Sequence, residues 1–204
     1  MATTRRYSSV VRDRQAESTR QEVVAAAARL FASQGYARTS VAEIAAAAKV
    51  AVNTVYTSVG GKPDLIRAIV ESSTSDGEIT DSLDRIGRHT DPREVLAELA
   101  RSSGEVSRRR WDALNILLDN RFADPVVDQL AERGMRIYRV RLDLVRDHLV
   151  ELGAVKPDLS PEAVSDILEF YFGAAAWRSV RALGWSWQHA AGWLTEQARA
   201  ALLR

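Results

Sequence analysis

The side chains best suited to acid–base or metal chemistry are few and well separated in this sequence. Its three histidines, His89, His148 and His189, fall on separate predicted segments. Asp147 directly precedes His148, and adjacent residues on a helix point to diverging faces, so this pair does not favour a metal site. The motifs GxSxG and HExxH, the P-loop and the dinucleotide fingerprint are absent from the sequence. An enzyme is therefore the least favoured alternative.

The composition excludes several other classes of site. The 204 residues include no cysteine, which rules out disulfides, iron–sulfur clusters, cysteine–zinc sites and thiol catalysis. No window approaches 18 consecutive apolar residues, and the basic N-terminal stretch MATTRRYSSVVRDRQ lacks the apolar core of a secretory signal. We expect a cytoplasmic protein with no metal, no cofactor and no membrane partner.

Charge is distributed unevenly along the chain, although the net charge is only +1. Residues 1–70 carry ten Lys and Arg against five Asp and Glu, whereas residues 71–204 carry 18 against 22. A basic N-terminal part on an acidic body suits binding of a polyanion, since phosphate neutralisation supplies most non-specific affinity for DNA. A chance fluctuation of composition is the alternative.

Helical signals cover almost the whole chain, and alternating strand patterns are absent, so the predicted class is all-α with about nine helices. The N-terminal helix starts are indicated by capping boxes, by a short polar segment and by a proline in a first turn. They are Thr19–Glu22, Ser40–Glu43, Val52–Ser58 and Lys62-Pro63.

Three later helix starts carry a cap residue followed by proline: Asp91-Pro92, Asp124-Pro125 and Ser160-Pro161. The last two helices are predicted at Ser160–Leu183 and Ser186–Leu203, separated by Gly184. The polar stretch 72–90 gives no clear helix boundaries.

Two short helices joined by a turn of three or four residues are typical of a helix-turn-helix, whose second helix enters the major groove of DNA. Here they lie within a longer stretch, Thr19–Glu71, that resembles the N-terminal domain of the tetracycline-repressor (TetR) family. Four elements carry the resemblance, in order: a first helix ending in LFASQGY, the Thr39-Ser40 pair, the core Thr54-Val55-Tyr56, and Lys62 after two glycines.

The resemblance implies the organisation and the function of the chain. It implies a helix-turn-helix DNA-binding domain over 19–70 and a ligand-binding and dimerisation domain over 71–204. The arginines before the first helix, Arg5, Arg6, Arg12 and Arg14, suggest a basic flexible arm over 1–18 that reaches DNA, and a disordered tail is the alternative. The expected protein is a homodimeric transcriptional regulator, a repressor that a small-molecule effector releases from a double-stranded DNA operator. A helical interaction protein without DNA binding is the second alternative.

The resemblance also implies roles for individual residues, which their chemistry supports. Hydroxyls at a helix N-terminus can hold a phosphate, and small polar side chains at the start of a recognition helix can face base edges. The phosphate-holding pair is Thr39 and Ser40, the base-facing residues are Val52, Asn53 and Thr54, and the backbone contacts are Tyr56, Thr57 and Lys62. The alternatives are a simple cap for Ser40 and simple packing for Tyr56.

The sequence departs from the family pattern around the turn. Lys49 stands where glycine is usual, which costs about 1 kcal/mol or more if the residue is left-handed. Ala51 stands where serine usually caps the recognition helix. Thr57 and Val59 replace the more usual histidine and phenylalanine.

In this family the last two helices of each subunit form the dimer interface. The implied interface residues here, small or apolar except for Gln197, are Gly173, Ala176, Ala190, Trp193, Leu194, Gln197 and Ala201. The alternative is that this face packs only within its own subunit.

The family also implies a ligand cavity in the body. The aromatic candidates are Trp111, Phe122, Tyr171 and Trp177, and the alternative for each is ordinary core packing.

Overall fold

The computed structural model describes residues 3–73 and 76–204, and the side chains of 13–73 and 81–204. Within these residues there are eleven α-helices and a single antiparallel bridge between Val155 and Leu203. The chain divides into two compact units, one of residues 1–74 and 112–131, the other of residues 75–111 and 132–204. The predicted all-α class is confirmed.

The helices follow one another through short connections. They are α1 Thr3–Gln34, α2 Val41–Ala47, α3 Val52–Ser58, α4 Lys62–Ser72, α5 Asp76–Arg88, α6 Pro92–Arg109, α7 Trp111–Asn120, α8 Pro125–Glu151, α9 Pro161–Phe172, α10 Ala174–Ala182 and α11 Trp187–Leu202.

The first unit is built around α1, whose apolar side chains pack against α2, α3 and α4. Ile44, Val55, Leu65 and Ile66 have no exposed surface. Each fully buried aliphatic side chain of this size contributes about 1.5–3 kcal/mol through the hydrophobic effect. The helices α2, α3 and α4 are too short to be stable alone, and burial of their apolar side chains in this shared core holds them together.

Helix α1 begins at Thr3, so the start predicted at Thr19 is wrong. The Thr19 hydroxyl donates to the carbonyl oxygen of Gln15 at 2.9 Å, a bond typical of a helix interior and not of a cap. Residues 3–18 contain neither proline nor glycine, so nothing in that stretch breaks the helix.

The second unit has its own core, which α6, α9 and α11 dominate. Its predicted helix starts are confirmed, since the Asp91 side chain accepts from the backbone N–H of Arg93 and the Ser160 side chain accepts from that of Ala163. The helix after Asp124 also starts at Pro125 as predicted.

Two differences raise the number of helices above the predicted nine. The polar stretch without predicted boundaries contains α5. The helix predicted at Ser160–Leu183 is divided at Gly173, whose extended backbone ends α9 and caps α10. A Cβ at Gly173 would lie 2.5 Å from the carbonyl oxygen of Glu169, so glycine permits this close approach.

Several polar side chains in the core of the second unit have hydrogen-bond or ion-pair partners. The Trp177 indole N–H donates to the Ser103 hydroxyl at 3.3 Å, and the Tyr138 hydroxyl donates to the carbonyl oxygen of Phe172 at 2.7 Å. Burial raises the pKa of Tyr138 well above its usual value, which keeps the phenol protonated. The carboxylate of Glu98, only 1% exposed, pairs with two arginines, Arg85 and Arg101.

We predict that Gly104→Ala destabilises the protein by about 1–3 kcal/mol, the usual cost of overpacking a well-filled core. A Cβ at Gly104 would lie 2.7 Å from the ring carbon Cη2 of Trp177, which is itself fully buried. Urea unfolding measures the change. Gly134→Ala on α8 is the matched control, because its Cβ would meet no atom within 4 Å. Alanine there should stabilise the helix by up to about 1 kcal/mol. Equal shifts for the two variants would contradict the prediction.

Candidate nucleic-acid interface

The turn between α2 and α3 contains a lysine in the left-handed region. Lys49 has a φ of 57°, and among the described residues it is the only one besides glycine with a positive φ. The backbone N–H of Val50 donates to the carbonyl oxygen of Ala45 at 3.0 Å, and that of Lys49 donates to Ala46 at 3.1 Å. These two bonds form a Schellman motif, which needs a left-handed residue after the helix. The left-handed conformation considered for Lys49 from the sequence is therefore present.

Helix α3 starts without a side-chain cap. Ala51 occupies the N-cap position in an extended conformation and makes no side-chain bond to the first turn. By contrast, the N-cap of α2 is the predicted capping box. Ser40 accepts from the backbone N–H of Glu43 at 3.2 Å, and the Glu43 carboxylate accepts from the backbone and the hydroxyl of Ser40, each at 2.7 Å. The two bonds that Glu43 accepts lower the pKa of its carboxyl, and the bond from the Ser40 backbone has the larger effect.

One buried side chain orients α3. Val55 is fully buried, so the opposite side of this short helix is presented to solvent. Most positions predicted to contact DNA from this helix are exposed, with Val52 at 42% and Tyr56 at 53% of their surface. Asn53 and Thr57 are exposed as well, and Thr54 is half-buried.

Lys62 is held in place at the start of α4. Its ammonium lies 4.2 Å from the centroid of the Tyr36 ring and donates to the carbonyl oxygen of Ala37 at 3.5 Å. The Tyr36 ring is buried, and it lies 5.2 Å from the Phe31 ring. A cation over an aromatic face is stabilised by about 0.5–1 kcal/mol at exposed sites, so the charge of Lys62 has a preferred position.

Thr39 does not share this surface. Only 1% of it is exposed, and its hydroxyl donates to the carbonyl oxygen of Gly35 at 2.9 Å. A hydroxyl without accessible surface cannot reach a phosphate, so this burial contradicts the phosphate contact predicted for Thr39. The pattern missed this because Thr39 and Ser40 are adjacent hydroxyls and only the second is outside the core.

A groove of about 430 Å³ runs between α1 and α3. It is lined by uncharged residues: Gln15, Ala16, Thr19, Thr54, Thr57 and Ser58. Sequence reasoning missed the contribution of α1, because it started that helix at Thr19. The absence of glycine and proline over residues 3–18 was the signal that could have revealed it.

The family model for "Bacterial regulatory proteins, tetR family" matches residues 23–69. A curated relative, the HTH-type transcriptional regulator AcrR of Shigella flexneri, is 31% identical over 165 residues, which cover 77% of this chain and 76% of that protein.

The chain belongs to the TetR family.

Solved structures of similar fold agree with this assignment. NalD of Pseudomonas aeruginosa, the secondary repressor of the MexAB-OprM multidrug efflux pump, superposes with a TM-score of 0.73 at 20% identity, covering 94% of this chain and 98% of that one. The regulator FadR of Bacillus subtilis, in complex with stearoyl-CoA, has a TM-score of 0.70 at 18% identity, covering 89% and 98%. Family membership confirms the prediction of a transcriptional regulator in preference to an enzyme.

In this TetR-family chain, the residues predicted for dimerisation are divided between the core and the surface. Ala190 and Leu194 are buried in the core of their own unit, and Gly173 is the break between α9 and α10. This burial supports the alternative of packing within one subunit, and a part of these residues in a dimer interface stays a prediction. Trp193 is 42% exposed and lies edge-on to Trp185, with 5.4 Å between ring centroids. The remaining candidates are half-buried: Ala176, Gln197 and Ala201.

The residues predicted for a ligand pocket are not one cluster either. Phe122 is 86% exposed and belongs to the first unit, so its prediction as a pocket residue in the body is wrong. Trp177 is fully buried, and Trp187 links it to Trp111 through ring contacts of 5.7 Å and 5.5 Å. Tyr171 is half-buried and lies 5.1 Å from the Phe170 ring.

None of the helices within residues 3–73 and 76–204 combines the length and apolar character that a membrane span requires.

We predict that Lys49→Gly stabilises the protein by about 1 kcal/mol, because glycine adopts the left-handed region without steric cost. Ala46→Gly, at an exposed position inside α2, is the matched control and should destabilise by about 0.5–1 kcal/mol. Urea unfolding of the three proteins gives the free energies. A loss of stability in Lys49→Gly comparable to that of the control would contradict the argument from backbone conformation.

Proposed function

We propose that the chain is a ligand-responsive repressor whose α3 enters the major groove of an operator. The observation that carries the proposal is the orientation of α3: Val55 is buried, while Val52, Asn53 and Tyr56 are exposed on a helix that follows a short turn. In a helix-turn-helix the exposed side of the second helix reads base edges. Asn53 is the candidate for reading a base through its amide, and Val52 for contacting a thymine methyl.

Contacts with the DNA backbone would come from Lys62, Tyr56, Thr57 and Ser40. The ammonium of Lys62 lies over an aromatic ring, and its carbonyl partner at 3.5 Å is at the limit of hydrogen bonding. A phosphate oxygen would be a stronger, charge-assisted acceptor. The excess of basic residues before position 70 supports the same assignment, with residues 19–70 as the DNA-binding domain and 71–204 as the body. Two features differ from the predicted division: residues 3–18, expected as a flexible arm, are the first half of helix α1, and residues 112–131 group with the first unit.

The second unit would supply the dimer contact and the effector site. Apolar side chains on α9–α11 and the turn before α11 are exposed, with Phe170 at 73%, Leu183 at 67% and Trp193 at 42%. A monomer exposing such a face would be stabilised by a two-fold pair, which also presents two copies of α3 to the two half-sites of an operator.

The effector site is proposed around the aromatic row of Trp111, Trp187 and Trp177, in which Trp177 is buried and the other two are half-buried. Ser103 and Tyr138 place hydroxyl groups in this otherwise apolar interior. Pockets for small organic ligands combine such apolar walls with a few polar groups. FadR, which has the same fold, is described in complex with stearoyl-CoA, and this supports an effector with a large apolar part.

We predict that Lys62→Ala weakens binding to every DNA sequence, because one phosphate contact is lost, and lowers the slope of log affinity against log salt by about 0.9. Asn53→Ala should instead relax discrimination at one base pair, by about 1–3 kcal/mol. Fluorescence anisotropy with labelled operator and scrambled duplexes, over a series of salt concentrations, separates the two effects.

Lys156→Ala is the matched control for the lysine. Its ammonium also donates to a carbonyl oxygen, that of Ala200, but it lies in the second unit. This variant should bind DNA like the parent. If Lys62→Ala also binds like the parent, or if Asn53→Ala leaves base preference unchanged, the assignment of the interface is wrong.

We predict reciprocal coupling between effector and operator. A ligand shifts an equilibrium only through different affinities for the two states, and the coupling is about 1–3 kcal/mol in typical cases. A small apolar compound that changes the fluorescence of the tryptophans in this row should weaken operator affinity, and operator DNA should weaken compound affinity by the same factor. Equal compound affinity with and without operator would leave the DNA-binding role intact but exclude the switch.

A further inference from the structure

Helix α8 carries apolar side chains on two opposite sides within the second unit. One side packs into the core, where Leu142, Val145 and Leu149 are at most 1% exposed. On the other side Val140 is 61% exposed and Leu144 is 54% exposed, and Ile137 beside them is 44% exposed. A single exposed apolar residue is common on protein surfaces, but several in a row on one helix face are not. We therefore expect this second side of α8 to contact a partner.

The exposed residues form a line along the helix. Ile137, Val140 and Leu144 are separated by three and then four residues, which is the repeat of a coiled-coil seam. Continuing this 3–4 repeat places Arg133 before the apolar residues, and Asp147 and Glu151 after them. We call these six residues, from Arg133 to Glu151, the α8 seam. At 1.5 Å per residue it is about 27 Å long.

The order of charges along the α8 seam is complementary to itself in one direction only. If two copies lie antiparallel, Val140 is level with Leu144 of the other copy, Arg133 with Glu151, and Ile137 with Asp147, so the favourable pairs are the apolar ones in the middle and the charged ones at the two ends. Two parallel copies would instead oppose Arg133 to Arg133 and Glu151 to Glu151, which is unfavourable. The two Arg133–Glu151 pairs, one at each end, therefore favour an antiparallel second copy of this chain as the occupant.

We propose that the α8 seam is a self-association surface, on which two copies of this chain pair antiparallel about a two-fold axis between Val140 and Leu144. The seam lies on another helix than the exposed face of α9–α11, and a chain in which the two surfaces pair with different copies assembles beyond a dimer. Such assembly would join dimers bound at neighbouring operators. The pairing itself does not depend on the proposed DNA binding.

The extent of the seam sets the expected strength of the pairing. Each copy contributes only three apolar side chains and its flanking charges. The surface area buried in such a pair is smaller than the area of about 1,200–2,000 Å² that stable interfaces bury. The pairing should therefore be weak and dependent on protein concentration. Charge pairs at the ends should make it weaker at high salt.

Sedimentation velocity of the full chain over a range of concentrations tests the proposal. Val140→Asp places a charge in the middle of the seam and should raise the dissociation constant of this association by at least about tenfold. Val150→Asp is the matched control, because Val150 is on the same helix, is 51% exposed and lies off the seam. It should associate like the parent. Circular dichroism of each variant verifies that the fold is retained.

Charge reversal tests the antiparallel register. Arg133→Glu alone and Glu151→Arg alone each place like charges at both ends of the pair and should weaken association. The double variant Arg133→Glu/Glu151→Arg restores opposite charges and should associate like the parent. Failure of this rescue would overturn the proposal, as would a parent whose association is equally sensitive to Val140→Asp and Val150→Asp.

A Trp193→Asp background separates the two surfaces. If α9–α11 forms the dimer of the proposed function, this substitution removes that contact and leaves an association that Val140→Asp abolishes. If Trp193→Asp changes nothing while Val140→Asp does, the α9–α11 dimer fails and the α8 seam stands. If no concentration dependence remains in the Trp193→Asp background, the seam does not pair copies of this chain and the proposal is wrong.

Discussion

The burial of Val55 is the contact on which the presentation of α3 depends. A helix of seven residues without a side-chain cap is far below the length at which helices are stable in water. Its position is therefore set by packing against α1 and α2, with Val55 and Ile44 fully buried in the shared core. The same core fixes Tyr36, whose ring makes a cation–π contact with the ammonium of Lys62. A small apolar core thus positions both the groups proposed to read bases and the cation proposed to hold the backbone.

The turn before α3 shows that the fold tolerates an unfavourable residue where the backbone geometry is required. The Schellman bonds at the end of α2 need a left-handed residue, and the chain adopts it with lysine. Its strain, of about 1–2 kcal/mol, is small beside the burial of the surrounding core. The left-handed lysine and the uncapped α3 therefore weaken the helix-turn-helix locally without changing its geometry.

Local signals predicted much of this fold. The capping box at Ser40 and the cap–proline starts at Asp91 and Ser160 are visible in a few residues, and the structure has each of them. The start of α1 was mispredicted because Thr19 and Glu22 match a capping box, yet the preceding residues continue the helix. Burial of Thr39 and exposure of Phe122 could not be predicted, because each depends on how the helices pack and not on spacing.

Contacts within the second unit could not be predicted from residue spacing either. The buried contact of Trp177 with Gly104 joins residues more than 70 positions apart, so no periodicity indicates that this tryptophan fills the core. The residues proposed for dimerisation were recognisable as apolar, but apolar character alone did not separate the buried Leu194 from the exposed Trp193. Helix α8 is a further example. Its sequence has apolar residues on two faces, and only the structure shows which face packs into the core and which is exposed.

Selection of bound duplexes from a random DNA pool is the most direct test of the central claim, that α3 reads base edges as one of a two-fold pair. The account predicts enrichment of an inverted repeat whose half-sites are separated by about one helical turn of DNA, 10–10.5 base pairs, or a multiple of it. Recovery of duplexes without sequence enrichment over the starting pool, at salt concentrations that remove non-specific binding, would contradict it.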